Sequence, residues 1–335
     1  MQWILATAGA IVVGVLTNLV YDLVKYGTVR LPTALDRRST PKALRGHDPV
    51  GQGLTPFVTW SKERQLSPAS LRTTFVGRLD RPHLLAGDRW DRAVATLEAA
   101  GDRGDTGYVS HIEIDTGEHP AARDLRVHIA RSRYAECLAA KDLATGEPDL
   151  ASRLAAAMAT GVAPFAEVVP PTMVSASVAV LSAEGRFLAL RRSLAVRTFP
   201  GQWTVGINES MKYSAEPGAE EDFFGLVRRG LREELGLGPG DYGRIGLSWL
   251  GWSSPACCWV VVASVRARLS AAEIDARREQ CHSVYEHDLA RWLPLTRRRV
   301  DAIVRGDGPG PDGATGWAYL APLVVGELWR FRDLV

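Results

Sequence analysis

The amino-acid sequence predicts an α/β (α+β) protein: a mixed-sheet α/β/α sandwich preceded by an extra α+β region and by an N-terminal transmembrane helix. Three observations predict this class. After residue 172, apolar strand-like runs surround two or more helical segments, which is the pattern of layered α/β folds. Between residues 57 and 170, alternating polar and apolar runs occur among helical runs, as in half-buried strands and amphipathic helices. An uncharged run occupies residues 3–21.

The N-terminal run is long enough to cross a membrane. As a helix it would extend roughly 28 Å, about the thickness of a bilayer core. Trp3 and Tyr21 lie at its ends, where amphipathic aromatics favour the headgroup level. No lysine or arginine precedes it, and several follow from Lys25 onward. The positive-inside rule predicts a single-pass protein of the cell inner membrane, with the N-terminus outside and the C-terminal domain cytoplasmic. The alternative is a buried or interfacial helix.

Small and polar residues recur along one face of this run. Ala6, Ala10, Gly14 and Asn18 are spaced every four residues, so they form one stripe on a helix. Small residues allow close helix packing in lipid, and an asparagine can bond across a helix pair. The stripe predicts a homo-oligomer formed through this face. The alternative is that alanine and glycine are simply common in membrane spans.

The chain divides into four predicted regions. Residues 1–26 are the transmembrane helix, and residues 27–56 are a linker rich in proline, glycine and basic residues, whose charges can contact anionic membrane lipid. Residues 57–170 form an α+β region whose role the sequence does not indicate. Residues 171–335 form the sandwich domain, with strands around "AVLSAEGRFLALRRS", "GQWTVGINES", "RIGLSWLGW" and "ACCWVVVASVRARL".

Composition restricts the partners. The 335 residues are 46% hydrophobic and 23% charged, with a net charge of +2, which gives no reason to expect nucleic acid as a bulk partner. The four cysteines form no Cys-x-x-Cys pair. We therefore expect neither a zinc site nor a disulfide framework. We expect the protein to lie in a reducing compartment.

The stretch "VRRGLREELGLG", residues 227–238, combines a helix end with candidate chemistry. Gly236 favours a left-handed helix cap. Glu233 and Glu234 follow Arg229 by one turn, so Arg229 can orient Glu233 through a charge-assisted bond. Gly230 stands where a third carboxylate would converge with them. The alternative is an acidic helix face exposed to solvent.

This stretch resembles the box of the Nudix superfamily, with Glu221 at the position of the family's earlier glutamate. The upstream hairpin and "PGQW", and the downstream "YEHDLARWLPL", also resemble family segments. The resemblance covers about residues 172–335 and implies a Nudix-like fold. It also implies Mg²⁺ or Mn²⁺ held by Glu233 and Glu234, with Arg229 in the catalytic group. The box lacks a carboxylate at Gly230. Glu209, on an altered loop, is the candidate replacement, and the alternative is a loop carboxylate exposed to solvent.

The resemblance further implies a nucleotide site. Its expected residues are Arg191, Arg192, Arg197 and Trp203. The alternative for each arginine is an ordinary surface charge. Isopentenyl-diphosphate isomerases share the fold and also diverge after the box arginine. Their activity is disfavoured here because "TVGINES" offers no counterpart to their cysteine.

A membrane anchor joined to such a domain is similar to transmembrane-Nudix effectors of bacterial cyclic-oligonucleotide anti-phage systems. The leading hypothesis is therefore that a nucleotide or cyclic oligonucleotide drives self-association, and that the clustered anchors disrupt the membrane. The alternative is an active Mg²⁺-dependent hydrolase of a nucleoside diphosphate linked to another moiety. A third option is an adaptor without a ligand.

Overall fold

The computed structural model of the protein describes much of the chain between residues 54 and 331. The described residues are 54–59, 68, 70–79, 85–102, 104–115, 124–147, 149, 153, 170–196, 198–214, 221–253, 256–281, 285–306, 310–313, 315–318 and 320–331. The predicted membrane span, its small-residue stripe and Arg197 lie outside them. Within these ranges, no helix combines the length and the apolar character needed to cross a membrane.

A large mixed sheet forms the centre of the fold. Its strands are β1 (Leu54–Thr59), β5 (Val174–Leu181), β6 (Arg186–Arg192), β7 (Trp203–Val205), β8 (Ile207–Ser210), β9 (Gly246–Ser253), β10 (Cys258–Arg266) and β11 (His287–Pro294). The path through the sheet is β1-β9-β10-β5-β6-β11, with β7 paired to β6 and β8 paired to β5. β10 runs parallel to β5, and the other pairs are antiparallel. The predicted mixed α/β architecture is confirmed.

The central strands are apolar because helices cover them. β9 is buried along its whole length, and β10 is buried at every position except Arg266. Four helices accompany the sheet: α3 (Phe223–Leu235), α4 (Ala271–Arg278), α5 (Arg297–Arg305) and α6 (Ala321–Phe331). α3 packs on β5 and β8, and α6 packs on β5, β7, β9 and β10. Strands covered in this way have continuous rather than alternating apolar runs.

The strand β1 corrects the predicted end of the linker at residue 56. Leu54–Thr59 pairs antiparallel with β9, at one edge of the large sheet. The register shifts between Pro56 and Val58. Proline cannot donate to a ladder and is therefore confined to edges and irregularities of sheets. Apart from Pro56, this short segment is made mostly of residues that favour strands, and it pairs with the edge of β9.

A second, smaller unit lies in sequence between β1 and β5 of the large sheet. It contains β2 (Leu71–Arg78), β3 (Asp105–Asp115) and β4 (Asp124–Arg133), together with α1 (Asp88–Ala99) and α2 (Tyr134–Gly146). β4 is the middle strand, parallel to β2 and antiparallel to β3. The structure confirms the helices and strands predicted around α1, β3, β4 and α2. β2 was not predicted, since its half-buried Arg-Thr-Thr pattern lacks a clear apolar face.

The helix α3 presents the predicted box residues. It begins after Asp222, whose side chain accepts a hydrogen bond from the backbone of Gly225 at 2.5 Å. It ends at Gly236, whose φ of 66° is left-handed, a conformation that glycine adopts without steric cost. The predicted helix end is therefore confirmed, and this cap fixes the rotation of the last turn, which carries Glu233 and Glu234.

Candidate functional site

Arg229 on α3 is a buried cation that binds three carboxylates. Its Nε and Nη2 donate to Glu221 Oε1 at 2.7 Å and Oε2 at 2.9 Å. Its Nη1 lies 2.9 Å from Glu209 Oε1 and 3.3 Å from Glu233 Oε2. Nη2 also donates to the carbonyl of Ser210 at 2.6 Å. Burial lowers the pKa of Arg229, but Glu221 and Glu209 outweigh it and raise the pKa above its ordinary value. The guanidinium therefore stays charged and neutralises much of this acidic cluster.

The predicted bond between Arg229 and Glu233 is present in this cluster. Glu233 Oε2 also accepts from Lys212 Nζ at 3.3 Å. Two cations thus face one carboxylate oxygen. Charge-assisted bonds of this kind are stronger than neutral ones, so the Glu233 carboxylate is held by side chains of the protein itself.

Glu209 occupies the space beside Gly230. It lies in β8, paired with Ala176 of β5, and not on a loop as the sequence suggested. A Cβ at residue 230 would stand 3.1 Å from Glu209 Cβ and 3.1 Å from Ile207 Cδ1. Such distances are tighter than ordinary van der Waals contact. The missing side chain at residue 230 therefore makes room for Glu209, which brings a carboxylate to Arg229 from the sheet.

Glu234 is a buried carboxyl group on the same helix. Both of its carboxylate oxygens are buried and have no hydrogen-bond partner among the described residues. Burial, followed by the charges of Glu209 and Glu286, raises the pKa of Glu234 well above its ordinary value. The nearest histidine nitrogen, Nδ1 of His287, is 3.6 Å away. Burial, followed by Arg192 and Arg278, lowers the pKa of His287 to about 3. Burial thus disfavours the charged form of both groups.

These donors do not fit the Mg²⁺ or Mn²⁺ that the Nudix resemblance implies. Metal ligands must be deprotonated and available. Glu209 and Glu233 instead accept from Arg229, and burial favours the protonated form of Glu234. Within the described ranges, no group of three or more His, Cys, Asp or Glu side chains is arranged to hold a metal ion. Arg229 therefore binds the carboxylates that a metal ion would need as ligands.

A cavity of about 410 Å³ opens beside Glu209. Its floor comes from β5 and β8 through Ser175, Ser177 and Asn208, and α6 contributes Ala321 and Val324. Other walls come from the loop after β6, from residues 285–286, and from α2 of the smaller unit. A partly apolar cavity of this size with a few polar groups is typical of small-molecule sites.

Of the predicted nucleotide-binding arginines, Arg192 lines this cavity. Its Nε donates to the carbonyl of Thr198 at 2.7 Å, and its side chain makes no other hydrogen bond within the described residues. Burial lowers the pKa of Arg192, against the attraction of Glu286 and Glu234. Arg191 instead binds Asp288 Oδ2 at 2.8 Å and Asp312 Oδ2 at 3.1 Å. Arg192 is therefore the described arginine placed to meet an anion.

Trp203 has a packing role. It is fully buried in β7 and does not line the cavity. Its backbone bonds to Gly316 and Ala318 at 3.0 and 2.7 Å. A Cβ at Gly310 would overlap its ring at 2.0 Å. Trp203 therefore secures the segment that leads into α6.

Several lining residues were not predicted from the sequence. Tyr134 and Lys141 come from α2, and Glu286 precedes β11. Burial raises the pKa of Glu286, an effect that Arg192 opposes. "YEHDLARWLPL" includes Glu286 and was noted only as a family-like segment. The two α2 residues belong to no motif, so only the packing of one unit on the other could identify them.

Comparisons with known proteins give partial matches. No protein-family model matches the chain. An isopentenyl-diphosphate Delta-isomerase from Kocuria rhizophila is 39% identical over 67 residues, which is 20% of this chain and 34% of that protein. The chain therefore spans about a third of that relative. The whole activity of the relative cannot be transferred from such a fragment.

Solved structures give wider but looser matches. A MutT protein from Methanosarcina mazei is 20% identical, with a TM-score of 0.27, covering 48% of this chain and 94% of that one. The NUDIX domain of Shewanella oneidensis NrtR, solved with ADP ribose, is 12% identical, with a TM-score of 0.26, covering 49% and 88%. Nudix proteins are thus among the structural neighbours of this chain.

Proposed function

We propose that this chain is a Nudix-like protein that binds a nucleotide derivative without hydrolysing it. One observation carries the proposal: Arg229 binds Glu209, Glu221 and Glu233 at once, where a hydrolase of the family would use box carboxylates for a metal ion. Gly230 supplies no carboxylate, and Glu234 is buried beside a neutral histidine. The box is therefore a structural support for the neighbouring cavity.

The cavity offers hydrogen-bonding partners for the parts of a nucleotide. Arg192 offers guanidinium donors to a phosphate, a pairing for which arginine is well suited. Ser175, Ser177 and Asn208 offer neutral hydrogen-bonding groups on the floor, which suit sugar hydroxyls or base edges. The structural neighbour NrtR was solved with ADP ribose, which makes ADP-ribose a reasonable first probe.

The decisive experiment measures binding and turnover together. Full-length protein is incubated with Mg²⁺ or Mn²⁺ and with nucleotide sugars, dinucleoside polyphosphates, ADP-ribose or cyclic oligonucleotides. We expect binding by calorimetry and no released phosphate or nucleoside monophosphate. Metal-dependent release that disappears in Glu234→Gln would refute the proposal, because Glu234 would then have a catalytic role.

The second candidate is hydrolysis of a nucleoside diphosphate linked to another moiety. It is favoured by the two oxygens of Glu234, which have no hydrogen-bond partner in the described part of the chain. A buried carboxylate without a partner is costly, and a divalent cation would satisfy it. Tight binding of Mn²⁺ that needs Glu234, measured without substrate, would support this candidate.

Membrane anchoring completes the proposed role. We propose that residues 3–21 anchor the protein in the cell inner membrane, and that ligand binding promotes self-association through Ala6, Ala10, Gly14 and Asn18, with membrane disruption in anti-phage defence as the result. The four-residue spacing of these residues supports this mechanism, because small residues on one helix face permit close packing in lipid. Gly14→Leu should prevent ligand-induced growth of the full-length particle and leakage from proteoliposomes, while ligand binding is retained. Unchanged leakage in this variant would exclude the packing mechanism.

A further inference from the structure

The smaller unit is fixed to the large sheet next to the box helix. Thr106 Oγ1 donates to the carbonyl of Met211 at 2.7 Å, and the Tyr213 hydroxyl donates to the carbonyl of Val76 at 3.0 Å. The rings of Phe75 and Tyr213 meet edge to face, with centroids 6.1 Å apart. Residues 211–213 directly follow β8, which carries Glu209. The smaller unit therefore has a defined position relative to the cavity.

Helix α2 places two residues on the cavity wall. Tyr134 and Lys141 both line it, and they are seven residues apart, which is two turns of helix. Lys141 Nζ donates to Thr198 Oγ1 at 3.0 Å. Cys258, whose thiol is within electrostatic range of Lys141, also lines the cavity. The ammonium group is therefore directed toward the cavity.

The two cations of the cavity meet at one residue. Lys141 binds the side chain of Thr198, and Arg192 binds its carbonyl at 2.7 Å. The next residue, Phe199, has a φ of 52° and also lines the cavity. A non-glycine residue in this region is strained, and such strain persists where surrounding contacts over-determine it, often at functional sites. The loop is thus held between two cations from different units.

We propose that α2 is a wall of the ligand site, where Lys141 and Arg192 bind the same phosphate group from two sides and Tyr134 packs on the adjoining sugar or base. The inference rests on the proposed function, because it assumes a bound nucleotide and assigns protein residues to its phosphate and to its sugar or base. It gives the smaller unit a role in specificity. It also means that the ligand bridges the two units, so binding strengthens their association.

The test compares Lys141→Met with Lys141→Arg in the full-length protein. The probes are ADP-ribose, inorganic pyrophosphate and adenosine. The affinity for each probe is measured by calorimetry. For the wild type we expect binding of ADP-ribose and weaker binding of pyrophosphate. Lys141→Met should weaken both by about tenfold to a hundredfold, the range for a hydrogen bond to a charged group. Lys141→Arg should retain most of the affinity. Lys141→Met should make the binding affinity less dependent on salt concentration.

Two controls separate direct binding from a structural role. Arg298→Met removes an exposed positive charge on α5, outside the cavity, and should leave binding unchanged. Thr198→Val removes the hydroxyl that Lys141 contacts but keeps the ammonium, and should weaken binding less than about threefold. A loss in Thr198→Val equal to that in Lys141→Met would mean that Lys141 only positions the loop, and would overturn the inference.

The remaining outcomes are also decisive. Wild-type binding that is unchanged in Lys141→Met would overturn this inference and leave the proposed function standing. A wild type that binds no probe of this panel or of the wider nucleotide panel would overturn the proposed function, and the inference with it.

Discussion

Glu209 lies directly against Gly230, so close that a Cβ at residue 230 would stand 3.1 Å from Glu209 Cβ. The two residues come from different elements, β8 and α3, and together they keep one carboxylate at a place where the helix supplies none. The absence of a side chain at Gly230 and the presence of Glu209 on the facing strand are therefore one structural feature.

Restoring the box carboxylate should be destabilising. Gly230→Glu would force a side chain against Glu209 and Ile207 and place a second negative charge there, at an expected cost of about 1–3 kcal/mol from overpacking. Denaturant unfolding measures the change. Adding Glu209→Ala should recover part of the loss because it removes the side chain in contact. A stable Gly230→Glu variant with metal-dependent turnover would contradict this explanation.

Removal of the central cation should be costly. Arg229→Met leaves Glu209, Glu221 and Glu233 without their shared partner, and breaking a buried pair costs about 3 kcal/mol or more. The matched control is Arg228→Met, one position earlier on the exposed side of α3, where Arg228 lies 3.6 Å from Asp222. Exposed pairs contribute about 0–1 kcal/mol. Similar melting temperatures for the two variants would show that the carboxylate cluster does not depend on Arg229.

Glu327 should make stability fall as pH rises. Its Oε1 lies 2.9 Å from Arg330 Nη1, but its buried Oε2 has no partner among the described residues. Burial raises its pKa to about 7 from the ordinary 4.5. Between these values the folded state holds a proton that the unfolded state releases, so the free energy of unfolding decreases with pH.

Glu327→Gln should remove this slope, giving a gain relative to wild type on the order of 3 kcal/mol above pH 7. The pKa of His287 is lowered to about 3, so His287 makes the free energy of unfolding rise with pH between about pH 3 and its ordinary pKa of 6.5. The effect of Glu327 is therefore taken from the difference between the wild-type and variant curves. Parallel curves for the two proteins would exclude the prediction.

Thiol reactivity should single out Cys281. Cys137, Cys257 and Cys258 are buried, and burial raises the pKa of Cys257 and Cys258 to about 12. Cys281 is partly exposed. With Ellman's reagent at pH 8 we expect one rapid thiol, absent in Cys281→Ser, and the other three only after denaturation. Rapid reaction of several thiols in the native protein would indicate that the core opens readily.

Local patterns predicted the parts of the fold that depend on local physics. The left-handed cap at Gly236 and the bond from Arg229 to Glu233 follow from spacing along one helix, so both could be predicted. The contact of Glu209 with Gly230, the cation pair at Thr198 and the edge strand β1 depend on segments distant in sequence. Neither helix propensity nor charge pattern encodes which strand passes over residue 230, or that α2 reaches a cavity built after residue 170.

The pairing of β1 with β9 has a practical consequence for protein preparation. A fragment cut at the composition boundary near residue 56 would lose the first half of this strand, and one begun after Thr59 would lose all of it. The backbone amides and carbonyls along the edge of β9 would then be unpaired. This edge could pair with β9 of another molecule. Shortened versions of the chain should therefore start before Leu54, because aggregation of a fragment that lacks β1 would result from the truncation itself.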